Sequence, residues 1–100
     1  MVMSTLTKLE EIRAWSEARG LVSEVYDVTR RRGLARDFGL RDQVQRSAVS
    51  IMANIAEGFD GTSNREFIQF LGYAIRSASE VQSHLYVALD QNYIDPHLGT

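Results

Sequence analysis

Polar and apolar positions alternate along this chain with the period of an α-helix, most clearly in QVQRSAVSIMANIAEG, Gln43 to Gly58. There Gln43, Arg46, Ser50, Asn54 and Glu57 recur at steps of three and four residues. At about 100° per residue they form one stripe. Leu40, Val44, Ala48, Ile51 and Ile55 form an apolar stripe beside it. Ser47, Val49, Ala53 and Ala56 occupy the remaining sides, and such small residues let other protein approach closely. The pattern predicts a helix over about 40–57, ended by Gly58 as a left-handed cap.

The same period predicts two further long helices. A first, from about Lys8 to Arg32, carries Ala14, Trp15, Ala18, Leu21, Val22, Val25, Tyr26 and Val28. These cover an arc of about 160°, wider than one packing seam requires. Glu10, Arg13, Glu17, Glu24, Asp27 and Arg31 take the opposite face, and Gly33 is the expected cap. Leu34 to Gly39 is then a short connection, with Phe38 expected beneath it. After the turn-rich Phe59-Asp60-Gly61-Thr62, Ser63 and Glu66 have the spacing of a capping box. They predict a third helix, Asn64 to about Gln91, with Phe67, Phe70, Leu71, Ala74, Ala78, Val81, Leu85 and Leu89 as its core stripe. Ile68, Ile75 and Tyr86 are expected to widen that stripe, and Asp95-Pro96 marks a turn. With no strand-like alternation and no repeat, the chain reads as one all-α domain over residues 1–100.

Composition narrows the function classes. One hundred residues suit a single domain. A domain of this size buries only about two-thirds of its unfolded surface, so oligomerisation would help it. No cysteine is present, which excludes disulfides, thiolate metal sites and a cysteine nucleophile. The sequence has no stretch near the roughly 18 apolar residues of a membrane span, and no secretory signal, so a cytoplasmic location is expected. The net charge of −2 argues against a dedicated nucleic-acid binder. Its distribution is less neutral, because Arg30, Arg31, Arg32, Arg36, Arg41 and Arg46 face only Asp37 and Asp42 in their segment. The plainer reading of Arg30 to Arg32 is a helix C-terminus whose cations complement the macrodipole. The alternative is a patch for RNA or another acidic partner, since the guanidinium fork suits phosphate.

The order of Trp15, Phe38-Gly39-Leu40, Gln43, Arg46-Ser47-Ala48, Asn54-Ile55-Ala56-Glu57-Gly58, Ser63, Glu66-Phe67 and Ser77-x-x-Glu80 resembles one small bacterial family. Its members are four-helix-bundle proteins encoded in intervening sequences of large-subunit (23S) ribosomal RNA genes. More distantly, the chain is similar to the accessory variability proteins of diversity-generating retroelements. The resemblance runs from about Leu9 to Ile94. It implies an up-down antiparallel bundle that assembles into a ring, typically a homopentamer, without catalytic activity. The retroelement relatives imply a role with RNA and a reverse transcriptase. The family continues past the Asp-Pro turn into a fourth helix, whereas this sequence reaches only Thr100. Three long helices are therefore expected, with the fourth absent or minimal. The apolar groove left behind would belong to a shortened chain or be filled by a neighbouring subunit.

Gln43, Arg46, Asn54, Glu57, Ser77 and Glu80 are the candidate polar network and assembly residues. Partly buried charges need partners, so Glu57 and Glu80 are expected to pair with Arg46 or Arg76, with Asn54 and Ser77 completing the hydrogen bonds. The sharper alternative, acid–base or metal chemistry at the two glutamates, lacks the Glu-x-x-His motifs of di-metal bundles. Neither His84 nor His97 stands three residues after a glutamate. Gly58-Phe59-Asp60-Gly61 lacks the ending of a phosphate loop, and no serine shows a triad arrangement. No enzyme activity, catalytic residue, metal, cofactor or small-molecule substrate is expected. Two functions remain: a homo-oligomeric scaffold or assembly protein, and an RNA-associated protein using Arg30, Arg31, Arg32, Arg36, Arg41 and Arg65 as a rim repeated by symmetry.

Overall fold

The computed structural model describes residues 9–61 and 63–95, with the Arg32 side chain outside that description. Lys8, Pro96 and His97 therefore lie outside the described residues. The helices are α1, Arg13–Thr29; α2, Arg32–Arg36; α3, Phe38–Asp60; and α4, Asn64–Asp90. Among the described residues all regular structure is helical. α3 is the central element and packs against both α1 and α4.

The first helix is not continuous over 8–32. A helical turn over 9–11 breaks at Ile12, whose backbone is extended, and α1 ends at Thr29. Burial explains the early stop. Thr29 is only 2% exposed, and its Oγ1 donates to the Tyr26 carbonyl (3.0 Å) while accepting from Gln45 Nε2 (2.8 Å). Two residues of turn at Arg30 and Arg31 then redirect the chain so that Leu34 reaches the interior, where it is 0% exposed. Gly33 therefore lies inside α2 instead of capping α1. The ring of Tyr93 rests against it, in the space a β-carbon would occupy.

Asp37 caps α3, its Oδ1 accepting from the Leu40 amide at 3.2 Å. Phe38 is 64% exposed and not tucked under the connection. It stands at the first position of α3, about 240° around the helix from Val44, so the inward stripe passes it by. The Arg41 guanidinium covers its outer face, 4.8 Å from the ring centroid. α3 also runs past Gly58 to Asp60. Gly58 is buried where α3 meets α4, and a β-carbon there would stand 3.4 Å from both the Phe67 carbonyl oxygen and Phe70 Cβ. Its job is close approach, not termination.

Ser63 starts α4 as expected, its Oγ accepting the Glu66 amide at 3.2 Å. The main core joins Ala18 and Val25 of α1 to Val44, Ala48, Ile51 and Ile55 of α3 and to Ala74 and Val81 of α4. A second, smaller cluster gathers Val28, Leu34 and Ala88 with Leu40, Tyr93 and Ile94 at the α2 end. Ile68, Ile75 and Tyr86 do not widen the core: they are 68%, 69% and 67% exposed. They sit about 100–120° around α4 from buried Ala74, on a flank that no described element covers. Between α1 and α4 lies an open groove of about 290 Å³, floored by Leu21, Val25, Val28 and Leu85 and edged by Glu24 and Arg31. Such a groove is what three amphipathic helices leave.

Candidate functional site

The contact between α3 and α4 is where polar side chains meet inside the bundle. The two helices run antiparallel through the Gly61–Ser63 connection, which sets Ser50 opposite Ser77 and Ser47 opposite Glu80. Ser50 Oγ accepts from Ser77 Oγ (2.9 Å) and from Asn54 Nδ2 (3.0 Å), and the same amide donates to the Ser50 carbonyl at 2.8 Å. One turn further, Ser47 Oγ donates to Glu80 Oε2 at 3.2 Å. Ser47 and Ser77 are buried, and these bonds satisfy their hydroxyls without placing a charge in the core.

Of the six residues expected in a polar network, the structure brings Asn54, Ser77 and Glu80 to this seam. Gln43, Arg46 and Glu57 lie on the exposed side of α3. The reason is one ridge of the helix. The line facing α4 runs through Ser47, Ser50, Asn54 and Gly58, and Arg46 and Glu57 fall on the next line outward; Gln43 continues the inner line one turn before Ser47 and is nonetheless exposed. Among the described residues the ion pairs are Arg13–Glu17, Arg19–Glu10, Arg30–Asp27 and Arg41–Asp42, so none joins Arg46 or Arg76 to Glu57 or Glu80. Arg76 instead lies over the Tyr73 ring, 5.8 Å from its centroid. The partners Ser47 and Ser50 replace the expected arginines, and Ser50 already stood in the polar stripe of the sequence. Ser47 carried a weaker signal, a lone hydroxyl at a position otherwise suited to alanine.

A second polar contact, Gln45 to Thr29, ties α3 to the end of α1, and nothing in the sequence pattern singles it out. A third closes the α2 end, where the Tyr93 hydroxyl donates to Asp37 Oδ2 at 3.2 Å. The phenol is pushed above its ordinary pKa, first by burial and then by the hydrogen bond to and charge of the Asp37 carboxylate. His84 Nδ1 is buried without a hydrogen-bond partner among the described residues.

The arginine segment is partly consumed by local contacts. Arg30 Nη1 holds Asp27 at 2.7 Å. Arg41 reaches Asp42 (3.1 Å) and the Ala35 carbonyl (3.2 Å) while stacking on Phe38. Arg31 and Arg36 are exposed, and neither forms an ion pair with a described residue. Arg32 opens α2, and its side chain lies outside the described residues. Arg65 does not join this group. It sits in the first turn of α4, beside the far end of α3, about 33 Å from Arg41 at 1.5 Å per residue. Among the described residues no group of three or more His, Asp or Glu side chains converges as a metal site would require.

Comparison with known proteins adds one finding. A family model described as 23S rRNA-intervening sequence protein matches residues 10–99, nearly the whole chain. Searches of curated proteins and of solved structures find no match.

Proposed function

The chain belongs to the 23S rRNA-intervening sequence protein family, and from that premise we propose that it is a cytoplasmic, non-catalytic scaffold that works as a homo-oligomer. The observation that carries this reading is the distribution of apolar side chains. The core is built largely of alanine and valine, while Ile68, Ile75 and Tyr86 stand about two-thirds exposed on α4 and Val49 is exposed on α3 beside Ala53. Exposed apolar surface of this kind marks contact with other protein. No helix among the described residues is long and apolar enough to cross a membrane.

Native mass spectrometry tests the proposal. The expected result is an integral multiple of the chain mass; a monomer at tens of micromolar would overturn it. Ala53→Arg places a long cation on the exposed face of α3. It is expected to lower the assembly mass while leaving the far-ultraviolet circular dichroism of the bundle unchanged.

A second reading, association with structured RNA or a reverse transcriptase complex, is favoured by Arg31 and Arg36, whose guanidinium groups are exposed and unpaired among the described residues. Protein purified without nuclease would then carry a mass excess removed by ribonuclease. Its RNA affinity would fall with salt at a log–log slope of roughly −0.7 per neutralised phosphate on single strands and about −0.9 on DNA-like duplexes. The double variant Arg31→Glu/Arg36→Glu would flatten that slope. Affinity unchanged by salt would dismiss the reading.

A further inference from the structure

We infer that α2 is a hinged lid over one end of the bundle, latched by the segment after α4, and that lid and latch open together while the three long helices stay folded. The joints on either side define the lid. Arg31, just before it, has extended backbone (φ −78°, ψ 156°), and Asp37, just after it, lies outside the helical region (φ −87°, ψ 81°). Behind the first joint stands a fixed post, the buried Thr29, bonded to the Tyr26 carbonyl and to Gln45. Beyond the second, α3 begins. A five-residue helix between two such joints cannot hold itself in place. Among its described side chains only Leu34 is fully buried.

The end of α4 sets the latch. The Tyr93 amide donates to the Ala88 carbonyl (2.9 Å) and the Asn92 amide to the Leu89 carbonyl (3.0 Å), the paired bonds of a Schellman turn. That turn needs a left-handed residue at its corner, and Asn92 takes it at φ 62°. The chain is thereby turned back so that the Tyr93 ring rests on Gly33, while its hydroxyl donates to Asp37 Oδ2 at 3.2 Å. One side chain thus touches the middle of the lid and its far joint. Lifting Tyr93 uncovers Gly33 and Leu34, and lifting α2 strips the Tyr93 ring of the backbone it lies on. Parts that depend on each other in this way open as one cooperative unit. The rest of the bundle does not depend on them: the main core joins α1, α3 and α4 without a residue of α2 or of 91–94. Opening has a consequence for the groove between α1 and α4. Val28 belongs both to that groove and to the smaller cluster under the lid, so an open lid lengthens the groove toward Ala88 and swings the exposed Arg36 away from it.

Amide hydrogen exchange of the full chain, read residue by residue by NMR, tests the lid. The amides of Ala35, Asp37, Asn92 and Tyr93 are expected to share one level of protection, to within about threefold, at least about tenfold below that of Ile51 and Val81 in the main core. Two mild variants then separate the lid from the bundle. Tyr93→Phe keeps the ring and removes the hydroxyl bonded to Asp37. It should speed exchange at Ala35, Asp37 and Asn92 by a common factor of about five or more. Ile55→Val thins the main core at a buried site that touches neither lid nor latch. It should speed exchange at Ile51 and Val81 about threefold or more and leave Ala35, Asp37 and Asn92 within about twofold of the parent. If Tyr93→Phe speeds Asn92 alone, the latch does not hold α2 and the inference fails. If Ile55→Val speeds the lid amides as much as the core, α2 opens only when the whole bundle unfolds, and the inference fails equally.

Discussion

Leu34→Ala is expected to lower the unfolding free energy by about 3 kcal/mol, within the range of roughly 2–5 kcal/mol for truncating a fully buried leucine. Leu34 is wholly inaccessible and is the side chain that fastens the five-residue α2 to the molecule, through Val28, Ala88 and Tyr93. A helix of that length has no stability of its own, so α2 holds its place only through what it buries. Removing the isobutyl group leaves a void bounded by α1, α4 and the segment after it. Those surroundings cannot collapse freely, because Tyr93 is tied to Asp37, and Asp37 caps α3. With a urea dependence of about 1–2 kcal/mol per molar for a domain this small, the midpoint should fall by about 1.5–3 M. A loss below about 1 kcal/mol would mean that α2 is not anchored through this residue.

Gly58→Leu should be comparably damaging, by about 3 kcal/mol, while Gly58→Ala should range from neutral to about 1 kcal/mol stabilising. At 3.4 Å from the Phe67 carbonyl oxygen and from Phe70 Cβ, a single β-carbon makes ordinary contact. The alanine also recovers the roughly 1 kcal/mol of helix propensity that glycine forfeits. Three more carbons have no room, because the nearest atoms on α4 include backbone. Leucine must push α3 and α4 apart, at the usual overpacking cost and more. The same displacement stretches the Ser50–Ser77 and Ser47–Glu80 bonds higher up the contact. Thermal melts of the two variants check the pair; equal melting temperatures would show that the helices do not cross closely at Gly58.

The three long helices, their order and the Ser63 cap were legible because each rests on local signals, apolar period and a side chain reaching its own backbone. Gly33 and Gly58 were misread for a physical reason. A glycine that relieves the backbone at a helix end and one that admits a neighbouring side chain look identical in sequence. Only the positions of Tyr93 and Phe67 separate the two uses. The same holds for the candidate network. Periodicity places Arg46 and Glu57 correctly on one stripe, but which stripe faces α4 depends on how the two helices roll against each other. A shift of one ridge exchanged the expected charged pairs for hydroxyls. Ile68, Ile75 and Tyr86 were assigned to the core because apolar character does not say whether cover comes from the same chain.

The composition of the interior has a bearing on how this sequence can vary. Ala18, Ala48, Ala74 and Ala88 stand at the centre of the two clusters, with valines between them. Trimming an alanine to glycine removes one methyl, whereas enlarging it drives apart helices already in close contact. At its four buried alanines the chain should therefore forgive loss of volume more readily than gain, whereas Leu34, Ile51 and Ile55 should behave in the opposite way. A saturation-mutagenesis map of this protein would show the sharpest penalties at those alanines where residues grow, the reverse of the profile of a core filled with leucine and phenylalanine.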